Sequence, residues 1–331
     1  MSLAVPLYGF GASGGSPNKS TIIVTAPTGS TVTCKMGSTT KTAAEKNGVW
    51  TFGGLDLGTW TITSTKGGDS VTQDVVISRL TVEYVTIVYR ITPEFTYTGD
   101  YEIVDDSDNP ISDFASWKNN WKIRFLTSGT LTFTKLNGWN GQLDVFLVGG
   151  GGAGGNGVWD NGYVQPNQRG GGAGAGYTAT QSSVSVAVNT PYVVSIGAGA
   201  TAPFTDPKEN GSAGGDTSAF SFTAKGGGAP KNGAGGNGGS GGGNSNYEGA
   251  TDGGGGTNAG TGQGTTTREF GMSTGKLYAT GGSGVSKKNG QANTGDGGSG
   301  GKYTETSNGT APSGGSGGSG IAIIRNTRGA A

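Results

Sequence analysis

Leu143-Asp144-Val145-Phe146-Leu147-Val148-Gly149-Gly150-Gly151-Gly152-Ala153-Gly154-Gly155 joins an apolar run to a stretch almost free of side chains. The first six residues have the length and composition of a buried strand. Whether the glycines after it are ordered decides the fold. Sixteen glycines precede position 149, so 55 of the 71 fall in the last 183 residues. They recur as a cassette of glycine block, polar loop and glycine block. The blocks fall at Gly149 to Gly155, Gly170 to Gly176, Gly226 to Gly228, Gly233 to Gly243, Gly253 to Gly256, Gly281 to Gly284, Gly295 to Gly301 and Gly314 to Gly320. No Gly-X-Y period runs through them and proline is sparse, which excludes a collagen triple helix.

Glycine loses the most backbone entropy on ordering, so a disordered linker is the first alternative. A linker has no use for sheet-forming runs, yet the region closes with Ile321-Ala322-Ile323-Ile324-Arg325. Between its ends lie Ser183 to Val188, Tyr192 to Ile196 and Phe220 to Thr223, each patterned as a strand. Order is therefore expected. Extended glycine segments of polyglycine-II type, rising about 3.1 Å per residue, can pack side by side and satisfy one another's amides. The loops between them would then emerge at the edges of a rigid scaffold.

Two enzymatic imitations fail. A strand followed by glycines resembles a dinucleotide-binding fingerprint, which needs a helix next. Here Asn156-Gly157-Val158-Trp159-Asp160-Asn161-Gly162 follows, which is no helix. Lys276 and Lys302 each follow a glycine, but Leu277 and Tyr303 stand where a phosphate loop requires Ser or Thr.

Toward the N-terminus the pattern changes. Residues 1–19 read as an irregular arm broken by Gly9, Gly11, Gly14, Gly15 and Pro17, either floppy or docked on a neighbour. From 20 to 91 the period is two: Thr21 to Thr25, Ser30 to Lys35, Val49 to Phe52, Thr59 to Ser64, Ser70 to Ile77 and Thr81 to Tyr89. Asn47-Gly48 is a hairpin signal. About seven short strands predict an Ig-like β-sandwich. Residues 92–142 read as a connecting β segment, with strands at Phe95 to Val104, Trp121 to Leu126 and Gly129 to Thr134. Residues 143–331 form the glycine-rich domain, and the fold class is all-β.

Asp105, Asp106, Asp108 and Asp113 invite a calcium reading, but the EF-hand glycine and closing glutamate are missing, so a solvated turn is expected. Trp117 and Trp121 lie four apart and would share one helical face, as core or as ligand contact. The chain contains no histidine, which rules out imidazole relays and imidazole metal ligands. Cys34 has no cysteine partner within the chain and reads as a small strand residue. Lys plus Arg and Asp plus Glu number 22 each, so neither nucleic acid nor anionic membrane is favoured. The N-terminus has no signal-peptide pattern and no stretch is apolar enough for a membrane helix. A chain made in a cytoplasm is expected, and if it ends up outside a cell, assembly onto a particle is the better route. Paired carboxylates of a polysaccharide hydrolase remain an open alternative that no spacing favours.

Trp50-Thr51-Phe52-Gly53-Gly54-Leu55-Asp56-Leu57-Gly58-Thr59-Trp60-Thr61-Ile62 resembles the small sandwich modules related to PEGA and carboxypeptidase regulatory-like domains, which implies a spacer. Leu143 to Gly155, the repeated cassettes and Gly317-Gly318-Ser319-Gly320-Ile321-Ala322-Ile323-Ile324-Arg325 resemble the glycine-rich domains of bacteriophage tail-tip and tail-fibre adhesins. That resemblance implies a virion protein with no catalytic site and no cofactor. It implies a bacterial cell-surface receptor, glycan or protein, and other tail or fibre proteins as partners, with a homotrimer left open. Aromatic faces beside amides and carboxylates are suited to such recognition. The loops supply Trp159, Asp160, Tyr163 and Gln165, then Phe204 with Asp206, Tyr247 with Glu248, Arg268 with Phe270, and Tyr303 with Glu305. Local packing over the glycine scaffold accounts for any one of them equally well. A purely structural baseplate or capsid decoration protein is the alternative function, and a bacterial surface adhesin a third.

Overall fold

A computed structural model describes residues 19–66, 69–87, 93–111, 120–136, 139–156, 170–202, 210–231, 233–255, 260–301 and 313–326. The chain is all-β and divides into two compact units, Met1–Ile91 and Thr92–Ala331. Among the described residues no helix is long and apolar enough to cross a membrane.

Among the described residues the first unit carries seven strands: β1 (Ser20–Thr25), β2 (Thr31–Met36), β3 (Thr39–Thr42), β4 (Val49–Leu55), β5 (Gly58–Lys66), β6 (Asp69–Ile77) and β7 (Val82–Thr86). They form two sheets, ordered β4-β1-β7 and β3-β2-β5-β6. Alternation along each strand turns one face inward. Ile22, Val24, Trp50, Phe52 and Leu55 come from the first sheet, and Val32, Cys34, Trp60 and Ile62 from the second, to make one core. The expected sandwich is therefore present. Asn47 (φ 54°) and Gly48 (φ 76°) both adopt the positive φ of a primed turn, and Lys46 and Val49 exchange backbone hydrogen bonds across it. The turn does not head a ladder, however. β3 pairs with β2 and β4 with β1, so the turn carries the chain from one sheet to the other.

Among the described residues the second unit has ten strands: β8 (Glu94–Tyr97), β9 (Tyr101–Val104), β10 (Lys122–Phe125), β11 (Gly129–Lys135), β12 (Gln142–Val148), β13 (Thr178–Ser185), β14 (Pro191–Ser195), β15 (Thr217–Ala219), β16 (Phe222–Ala224) and β17 (Ile321–Asn326). They build two antiparallel sheets of five, ordered β13-β12-β17-β10-β9 and β16-β15-β14-β11-β8. The sheets face each other through aromatics. Trp121 and Phe133 each lie 5.5 Å from Trp139, and Phe125 lies 4.6 Å from Tyr97. Residues 92–142 are thus no separate connector, because β8 to β11 complete both sheets. The run from Phe95 to Val104 bends at residues 98–100 and sends β8 and β9 to different sheets. Phe220 (φ 52°) and Ser221 (φ 67°), expected in a strand, form the tight turn between β15 and β16. Period-two alternation cannot distinguish a strand from a two-residue hairpin turn flanked by strands. β13 also begins earlier than expected and ends at Ser185, because its ladder with β12 runs from Val148↔Thr178 to Gln142↔Ser185.

The glycine blocks leave this sheet pair as a hydrogen-bonded lattice. Gly149, Gly152 and Gly155 donate their N–H to the carbonyls of Tyr177, Gly174 and Gly171; Gly150 and Ala153 donate to Gly215 and Ser212; Gly151 and Gly154 donate to Gly318 and Gly315. All seven bonds are 2.8–3.0 Å long, and every third residue faces the same neighbour. Segment 170–177 repeats the scheme: Gly170, Ala173 and Gly176 donate to Gly301, Gly298 and Gly295. Buried amides are therefore satisfied between segments distant in sequence. The backbones approach so closely that a Cβ on Gly151 would lie 1.9 Å from Asp296 O, and one on Gly154 2.0 Å from Ser299 O. That approach is the reason these positions carry no side chain.

Candidate functional site

The strand β12 and its partner β17 are covered on both faces. One face meets the second sheet. On the other, Phe146, Val148, Ile321 and Ile323 pack under a segment that contributes Phe270, Tyr278 and Ala279. A 3-10 turn at Glu269–Gly271, with Phe270 at φ 53°, aims Phe270 inward. Phe270 is 8% exposed, its ring is 5.7 Å from that of Phe146, and the Arg325 guanidinium lies 4.0 Å over it. Phe270 is thus a core residue and not the surface contact expected from the sequence. Its neighbour Arg268 is spent locally, donating to Asp252 Oδ2 at 3.2 Å and to the Gly275 carbonyl at 3.1 Å.

A buried ionic cluster clamps the same segment to the sheet. On β10, the Lys122 ammonium and the Arg124 guanidinium both reach Glu269, at 2.9 and 3.3 Å, and Glu269 is 2% exposed. Asp108 pairs with both cations, 2.6 Å from Arg124, and the Tyr278 hydroxyl donates to Glu269 at 3.4 Å. Burial opposes ionisation of Asp108, but its bonds to Arg124 and Lys122 prevail and hold the carboxyl below its ordinary value. Burial pushes the Tyr278 phenol well up, with the Glu269 charge adding to it. Nothing in the local sequence announces this cluster, because Glu269 lies 147 and 145 residues from Lys122 and Arg124.

Three of the four carboxylates of the acidic patch are engaged within the chain. Asp105 accepts from the Ser107 and Asn109 amides at 2.8 and 2.9 Å, Asp106 accepts from the Asn120 amide at 2.7 Å, and Asp108 is held by the two cations. They turn and staple the segment after β9. Asp113 and Trp117 lie outside the described residues, and Trp121 is fully buried beside β10.

Beyond the ionic clamp the chain opens into a cleft of about 540 Å³, within the size range of small-ligand sites. Among the described residues Glu248 and three stretches line it: 276–283, 286–291 and 294–299. Their backbones are locked together. Thr280 donates to Asp296 Oδ1 and Ala279 to the Thr294 carbonyl, both at 2.9 Å; Gly297 donates to the Thr280 carbonyl at 2.9 Å and Ser299 to that of Lys288 at 3.0 Å. Lys276, Lys288, Glu248, Asp296, Asn289 and Gln291 supply charged and amide groups, and among the described residues Leu277 is the single large apolar side chain in the lining. Of the residues expected from sequence, Glu248 lines this cleft and its neighbour Tyr247 is 45% exposed. Trp159, Asp160, Tyr163, Gln165, Phe204, Asp206, Tyr303 and Glu305 lie outside the described residues, as do residues 1–18 of the N-terminal arm. The lysines and Asp296 were missed because only folding brings their stretches together.

Comparison with known families fits this architecture. A family model described as a glycine-rich domain matches residues 126–331, from the end of β10 through β17. The chain belongs to that glycine-rich family. The match begins within the strands that build the sheet pair, in keeping with a glycine-rich domain that includes β11 to β17. No curated protein matches the chain.

Proposed function

We propose that this glycine-rich protein is a bacteriophage tail-tip or tail-fibre adhesin that attaches a virion to a bacterial surface receptor without catalysis. One observation carries the reading. The amides of 149–155 are shared in rotation among three neighbouring segments, which supplies a scaffold from which connecting stretches can be displayed. The three-residue period also supports a polyglycine-II-like conformation for the blocks, as part of the same proposal. In this reading residues 20–91 serve as a PEGA-like spacer, and the receptor is met by the polar stretches around Tyr247 and Glu248 and the cleft beside them. The protein reaches the virion after synthesis in the host cytoplasm and inserts in no membrane.

Fluorescently labelled protein should decorate susceptible bacterial strains at micromolar concentration and compete with phage adsorption. Absence of labelling across a broad strain panel overturns the proposal. A purely structural virion role has one observation in its favour: the edge strand β7 exposes Val82 and Tyr84, at 49% and 77%, as a surface another protein can cover. Exchanging the loops between 156 and 313 for those of a related phage separates the two. A changed host range supports adhesion, and an unchanged one supports scaffolding.

A further inference from the structure

We infer that the cleft bounded by 276–283, 286–291 and 294–299 binds a short neutral oligosaccharide through its hydroxyl groups. The inference rests on the adhesin reading for where such a ligand is met, and on the cleft alone for its chemistry. Among the described residues Leu277 is the one large apolar side chain of the lining, which offers no pocket for the aromatic or aliphatic anchor that dominates peptide recognition. The charges balance: Lys276 and Lys288 stand against Glu248 and Asp296, so neither a polyanion nor a polycation is preferred. What the lining offers is an interspersed set of donors and acceptors. A sugar hydroxyl, which donates and accepts at once, is the group that uses both.

The polar groups are also available. Among the described residues neither Lys288 nor Glu248 forms an ion pair, and both are exposed. Thr280 N–H occupies one oxygen of Asp296 and fixes the carboxylate's direction, and among the described residues no partner is seen on the second oxygen. Lys276 is positioned over the Tyr278 ring at 5.3 Å. Backbone bonds between the three stretches hold the walls in place before any ligand arrives, so little conformational entropy is lost on binding. The Glu269 clamp to Lys122 and Arg124 secures the 276–283 wall from behind, since Glu269 N–H donates to the Lys276 carbonyl at 2.9 Å.

The test screens the full-length protein against an array of neutral oligosaccharides, with phosphorylated and sialylated counterparts beside them, and titrates the hits by calorimetry. Neutral members should bind, and Glu248→Gln and Lys288→Gln should each weaken binding at least tenfold while thermal unfolding stays unchanged. Preference for the charged counterparts, binding of no member, or wild-type affinity in both variants overturns the inference. Labelling of intact bacteria by the same preparations separates the two proposals. Wild-type protein that labels bacteria yet binds no member of the array sinks the cleft and spares the adhesin. Sugar binding without labelling of any strain spares the cleft and sinks the adhesin.

Discussion

Alanine at Gly154 and at Gly155 should have opposite consequences, although the two positions are adjacent. A Cβ on Gly154 would sit 2.0 Å from Ser299 O and 2.4 Å from its carbonyl carbon, both backbone atoms that no rotamer can withdraw. Reaching ordinary contact at 3.4 Å demands a displacement of about 1.4 Å in one of the two segments. Segment 298–300 is held by Gly298 N–H to Gly152 O at 2.8 Å, Ser299 N–H to Lys288 O at 3.0 Å and Gly300 N–H to Ser283 O at 2.8 Å. Such a shift takes at least two of these past hydrogen-bonding range, at about 1 kcal/mol net each. Overpacking strain adds about 1–3 kcal/mol, so Gly154→Ala should destabilise the domain by about 3–5 kcal/mol. A Cβ on Gly155 meets nothing closer than Pro230 Cγ at 3.5 Å, so Gly155→Ala should lie within about 1 kcal/mol of wild type. Urea unfolding, followed by hydrogen-exchange mass spectrometry of peptides from the second unit, reads both. Equal stability of the two variants would refute the claim that interlocked backbone, rather than glycine content, holds this domain.

The remaining expectations follow from the same contacts. Amides of Gly149 to Gly155 should exchange orders of magnitude more slowly than in a denatured peptide, and exchange at the peptide rate would dissolve the lattice altogether. Glu269→Ala leaves Lys122 and Arg124 with one buried partner fewer and should cost about 3–5 kcal/mol in urea unfolding; a cost below about 1 kcal/mol would show the clamp to be dispensable. Because bonds to Arg124 and Lys122 depress the Asp108 carboxyl below its ordinary 3.8, its stabilisation is complete above that value and fades as pH falls through the lowered one. Asp108→Asn should therefore flatten the loss of stability seen below about pH 4, and an unchanged acid profile would discount it. Burial lifts the Cys34 thiol to about 11, with the Lys41 charge opposing, so a thiol reagent at pH 8 should react only after the first unit unfolds.

Much of the fold was legible because strand periodicity is a local signal. β1, β2, β5, β6, β10, β11, β12, β14 and β17 fall close to where alternation or apolar runs place them. Misreadings cluster where local pattern underdetermines geometry. Phe220-Ser221 looks like strand but turns, and Phe95 to Val104 looks like one strand but serves two sheets. Of the proposed contacts, Glu248 reached the cleft while Phe270 went to the core, since an aromatic in a glycine-rich loop carries no mark of the side it will face.

The sequence by itself determined that the glycine blocks must find order or be linkers, because apolar strands at Leu143 to Val148 and Ile321 to Arg325 bracket them. Which block lies against which was decided only in three dimensions. Side-chain-free segments carry no complementary surfaces that identify their partners. The sheet pair sets where each block begins, and the three-residue rotation of hydrogen bonds then fixes the rest. The clamp of Glu269 on Lys122 and Arg124, and the cleft it backs, exist for the same reason: residues far apart along the chain become neighbours once β17 inserts between β10 and β12.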